Sequence, residues 1–142
     1  MHKALLAAAL LSWGGIANAL PLRVAAASAY PAPAGGAVAL QLVLENPGAA
    51  VDLVGASTPV AQRATVRVHQ VQEGVTRILT PPFLTLPARS RVHLLPGANE
   101  VFLSTLQQPL VAGMEFPLLL SFTPSQTLTV RVAVRPDLPQ RP

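Results

Sequence analysis

The chain has 142 residues, no cysteine, a formal net charge of +4, and 11% charged against 51% hydrophobic residues. This length fits one compact domain burying roughly two-thirds of the surface its unfolded chain would expose, and without cysteine it has neither disulfides nor a lipid-attachment residue at an export boundary. The arginines are scattered and aromatics make up 4%, whereas nucleic-acid binders cluster basic residues and add stacking aromatics, so no nucleic-acid partner is expected.

In chain order, Lys3, the apolar run 4–11 and the small-x-small site Ala17-Asn18-Ala19 read as an export signal over residues 1–19. The run is shorter than the roughly 20 apolar residues that cross a bilayer. Cleavage after Ala19 leaves 123 of the 142 residues, with no membrane span expected afterwards and a periplasmic, soluble product. The expected domain covers residues 20–135, and the proline-rich stretch 136–142 is expected to be a loose tail.

Residues 20–30 read as an edge strand, broken by the Pro- and Gly-rich stretch 31–36. Leu40, Leu42 and Leu44 alternate with Ala39, Gln41 and Val43, the period of two of a half-buried strand, and Asn46-Pro47-Gly48 turns the chain. A short strand is expected over 51–56. Over 65–72, Val66 and Val68 point one way while Arg67, His69 and Val71 point the other. Glu73-Gly74 reads as a tight turn into 75–79, followed by Thr80-Pro81-Pro82 and a further strand before residue 87. Residues 90–95 alternate, Pro96-Gly97 turns, and Glu100 and Phe102 share one face of the strand that follows. An apolar run over 116–122 and the clean alternation of Leu128, Val130, Val132 and Val134 complete the set. Many short strands, turn signals every eight to twelve residues and no helical period predict an all-β sandwich or barrel.

The stretch His69 to Phe102 resembles the periplasmic copper chaperones of the PCu(A)C family, whose motif reads His, ten residues, Met, twenty-one residues, His, one residue, Met. Here His69 stands in place, eight residues separate it from Ile78, and twenty-one more lead to Glu100 and then Phe102. The likeness extends to Leu53-Val54-Gly55-Ala56-Ser57-Thr58-Pro59, to Pro96-Gly97, and to Phe116-Pro117-Leu118-Leu119-Leu120-Ser121-Phe122. The resemblance implies a cupredoxin-like Greek-key β-sandwich, copper as ligand, and a role in delivering copper to a respiratory-oxidase assembly protein.

Cu(I) is soft and prefers thiolate, thioether and imidazole donors. Beyond the signal the chain has Met114, His69 and His93. Met114 sits where the family places no ligand and reads as a packing or turn residue, and His93 shares a face with Arg91, whose charge opposes a cation. The resemblance makes His69, in the first ligand position of the motif, and Glu100, in place of its second His, the candidate metal ligands; the Glu100 carboxylate suits Zn(II) or Cu(II) better than Cu(I). Against this stands a solvent-facing His69 with no metal, Ile78 and Phe102 packing the old pocket shut, and a metal-free module that docks on a periplasmic protein. No enzyme is expected: there is no cysteine for a blue-copper centre, no His-Glu-x-x-His, no phosphate-binding Gly-rich loop and no Gly-x-Ser-x-Gly elbow.

Overall fold

The computed structural model describes residues 22–123 and 126–136. The expected signal at 1–19 and the tail beyond Pro136 lie outside them. Among the described residues there are strands and turns and no helix: β1 (Arg23–Ala29), β2 (Val38–Ala39), β3 (Gln41–Asn46), β4 (Val51–Ser57), β5 (Ala61–Gln72), β6 (Val75–Leu79), β7 (Leu84–Leu86), β8 (Ser90–Leu94), β9 (Asn99–Leu106), β10 (Glu115–Thr123) and β11 (Gln126–Val134). No described helix, therefore, is long and apolar enough to cross a membrane.

The strands form two sheets, β7-β4-β10-β11-β1-β3-β8 and β2-β9-β5-β6. All named pairs are antiparallel except β1 with β11. The alternation predicted from sequence decides which side chains lie between the sheets. Leu42, Leu44, Leu118, Leu120, Val130 and Val132 come from the larger sheet, and Val101, Leu103 and Val66 from the smaller; all are buried. Burying each such side chain contributes roughly 1.5–3 kcal/mol. Leu40, fully buried, marks where the chain leaves one sheet for the other: its amide donates to the Val101 carbonyl at 2.9 Å before β3 begins. This is the cupredoxin-like sandwich that the resemblance implies.

One expectation fails here. β1 is an interior strand, held between β11 and β3. Its sequence is short, Ala-rich and flanked by Pro21 and Pro31, which reads as an edge, but the partners on both sides come from residues 41–46 and 126–134, and a local pattern carries no information about them.

Two turns matter below. Glu73 (φ 51°) and Gly74 (φ 80°) both take left-handed backbone, as a two-residue hairpin loop of the primed kind requires, and this places His69 opposite Ile78. Gly97 (φ 85°) turns the chain from β8 of the larger sheet into β9 of the smaller, where Arg67 lies opposite Glu100 and Thr65 opposite Phe102.

Candidate metal site

Directly opposed residues in an antiparallel pair share a face of the sheet. The β5–β9 and β5–β6 registers therefore gather Arg67, His69, Ile78, Glu100 and Phe102 on the outer face of the smaller sheet. Glu100 is 1% exposed. One of its oxygens, Oε1, accepts the Gly97 amide at 3.0 Å. The other, Oε2, accepts Arg67 Nε at 2.8 Å and the same guanidinium's terminal nitrogen at 2.5 Å. The guanidinium carbon lies 3.6 Å from the centroid of the Phe102 ring, a cation–π stack that the planar arginine head makes well.

His69 Nε2 lies 3.2 Å from Glu100 Oε2. Nε2 is buried and makes no hydrogen bond, so its contact with Glu100 is one of proximity. Burial by itself pushes the Glu100 carboxyl up, but the Gly97 amide, the Arg67 guanidinium and, with a smaller contribution, His69 outweigh it and hold the group below its ordinary value. The carboxylate is therefore charged and committed.

The structure brings together His69 and Glu100, the two ligands expected from sequence, and corrects three details around them. The His69 side chain is 15% exposed, so it is not a solvent-facing strand residue. Ile78 is 52% exposed and does not fill the pocket, because β6 is an edge strand whose five residues are all exposed. What fills it is Arg67. The remaining candidates are elsewhere: Met114 packs against the core and accepts the Val111 amide through its sulfur at 3.3 Å, and His93 is exposed on β8, opposite Val43 of the other sheet.

The site also tests badly as a Cu(I) seat. Ile78 and Phe102 carry no donor atom, both Glu100 oxygens are engaged, and a guanidinium already stands where a cation would have to sit. Among the described residues no group of three or more His, Cys, Asp or Glu side chains could hold a metal ion.

The LpqE-like lipoprotein family matches residues 20–134. The chain belongs to this family. Its fold is that of PCuAC domains: the apo-DR1885 solution structure from Deinococcus radiodurans is 30% identical, with 87% of this chain and 84% of that one covered and a TM-score of 0.63. The Cu(I)-DR1885 structure is 28% identical over 84% of this chain and 82% of its own, with a TM-score of 0.65. The copper-bound PCuAC domain from PmoF2 shares the fold at 18% identity and a TM-score of 0.64, over 82% of this chain and 93% of its own. No curated protein matches.

Sequence reasoning placed Arg67 on the face of His69 and assigned it no role. The missing signal was register, because a cross-strand partner thirty-three residues away becomes visible only once β5 and β9 are aligned.

Proposed function

We propose that this chain is an exported, periplasmic domain of the copper-chaperone type whose copper seat is closed by its own Arg67, so that it binds copper weakly and acts by docking on a protein partner. The observation that carries this reading is the guanidinium bonded to Glu100 and stacked on Phe102, occupying the place where the motif of the family calls for a histidine and a methionine around a metal. An internal cation satisfies the carboxylate as an external one would, and it cannot dissociate from the chain.

Magnitudes support the reading. A copper carrier holds its ion at nanomolar or tighter, about −12 kcal/mol, while one imidazole with one shared carboxylate supports on the order of micromolar, about −8 kcal/mol. The deciding measurement is a Cu(I) titration against a competing chelator. We expect a dissociation constant no tighter than micromolar. Nanomolar binding that disappears in His69→Ala would overturn the proposal. Fractionation of cells making the full chain tests the export component, with the processed protein expected in the periplasm.

One observation favours a second reading, delivery of copper toward a respiratory-oxidase assembly protein. The buried His69 Nε2 has no partner and faces a carboxylate oxygen, a donor pair suited to Cu(II) or Zn(II) more than to Cu(I). On this reading Arg67 swings away when metal enters. The discriminating measurement is Cu(II) binding by the wild-type chain: on this reading it is tight and falls at least tenfold in His69→Ala, whereas on the first reading it is weak and rises in Arg67→Met.

A further inference from the structure

The nine arginines outside the signal are spread along the sequence, and the fold gathers three of them. Arg23 of β1, Glu45 of β3 and Arg91 of β8 lie in one row across the larger sheet. Arg89 lies two residues before Arg91, on the turn into β8. Together they line an open groove of about 430 Å³ with Asn46, Pro47 and Ser90. Glu45 accepts Arg91 at 2.9 Å and lies 4.0 Å from Arg23. It is the one carboxylate in the lining, so three guanidinium groups against it leave an excess of positive charge. Arg89 is exposed and makes no ion pair among the described residues.

The turn carrying Arg89 is rigidly built. The Asn46 side chain is 3% exposed and donates to the carbonyls of Leu86 at 3.2 Å, Pro87 at 2.9 Å and Ala49 at 2.9 Å, while its oxygen accepts the Gly48 amide at 3.1 Å. The β3–β4 and β7–β8 turns are thus tied to one another. Arg89 donates its amide to the Gly48 carbonyl at 2.9 Å and holds φ at 48°. A side-chain-bearing residue rarely adopts that backbone, and it persists where surrounding bonds enforce it, often at sites of recognition. The root of the Arg89 guanidinium is therefore held in place before any ligand arrives, which lowers the ordering cost of binding.

We propose that this groove is a docking surface for an acidic, carboxylate-bearing segment of a partner protein. Guanidinium forks pair with carboxylates two bonds at a time, and the excess charge of the groove matches a segment with two or more Asp or Glu side chains. A membrane surface fits less well. Attraction to anionic lipid takes roughly four to eight clustered basic residues, and Pro47 is the only apolar residue in the lining, so nothing here inserts among lipid tails. The inference deepens the reading of the domain as a docking module by naming its surface; its test is independent of copper.

The probe is a fluorescein-labelled tetraglutamate peptide, read by anisotropy at low salt and by amide chemical-shift mapping on the full exported chain. We expect shifts concentrated at residues 45–48 and 88–91. The double variant R89E/R91E should lose at least tenfold in affinity, and Arg89→Gln alone should lose severalfold, with raised salt weakening the wild type. Arg77→Glu makes a charge change of the same sign on the exposed edge strand β6 and is the control, expected to bind nearly as the wild type. Equal losses in the control and in Arg89→Gln, or shifts spread over both sheets, overturn the proposal. So does retention of peptide binding in R89E/R91E together with loss of binding to phosphatidylglycerol vesicles. A micromolar or absent Cu(I) affinity leaves this result untouched, so each proposal fails separately.

Discussion

Two clusters in this molecule use the same side chains in opposite ways. On β5 and β9 a buried carboxylate, Glu100, is gripped by Arg67 over Phe102. On β1, β3 and β8 a half-exposed carboxylate, Glu45, lies between Arg23 and Arg91, whose side chains are 67% and 58% exposed. In the first, low polarity makes every partner obligatory, so the cluster is a closed structural unit. In the second, water screens each contact, so its charges remain available to something else. Burial, rather than residue type, separates a closed carboxylate–guanidinium cluster from an open, solvated one.

The largest way to break the comparison is Arg67→Ala. Removing one member of a buried pair leaves the other charge uncompensated, and we expect a loss of roughly 3–5 kcal/mol in denaturant unfolding. Replacing both, as in R67M/E100L, should recover most of that loss or exceed wild-type stability, which would show that the pair selects a closed pocket and does not maximise stability. Acid sharpens the same point. The Glu100 pKa is depressed in the folded state, so its stabilisation is complete above the unfolded value and is lost progressively as pH falls from there through the lower folded one. Thermal melts should therefore show a stability loss that begins as pH falls through the ordinary carboxylate pKa and continues below it, and Glu100→Gln should flatten that part of the profile.

A smaller effect is expected at Gly97, whose amide binds Glu100 Oε1 from a left-handed backbone with open space around its α-carbon. Gly97→Ala should cost roughly 1–2 kcal/mol through backbone conformation alone, read by the same unfolding curves. The smallest belongs to the exposed cluster: Glu45→Ala should change stability by less than about 1 kcal/mol while increasing tetraglutamate binding. A stability loss there as large as that of Arg67→Ala would erase the distinction between the two clusters.

Much of the fold was legible in the residues. Alternation in residues 40–44 and 128–134 marked core faces, Glu73-Gly74 marked a hairpin, and Gly97 marked the turn before Glu100. The candidate site was legible in part. The resemblance to the PCu(A)C motif points to His69 and Glu100, but it leaves Ile78 as pocket filling and Arg67 without a role. Both misreadings have one cause: a residue's neighbours across a sheet depend on strand order, and strand order is not a local property.

The sequence by itself determined the all-β class, the inward and outward faces of most strands, and the loss of soft metal donors, because side-chain period and donor chemistry belong to each short segment alone. Only the tertiary structure decided that β1 is interior, that Arg67 binds Glu100 and stacks on Phe102, and that Arg23, Arg89 and Arg91 meet around one groove. Those facts are set by pairing between segments twenty to more than a hundred residues apart, where burial and register, summed over the whole sandwich, select one arrangement.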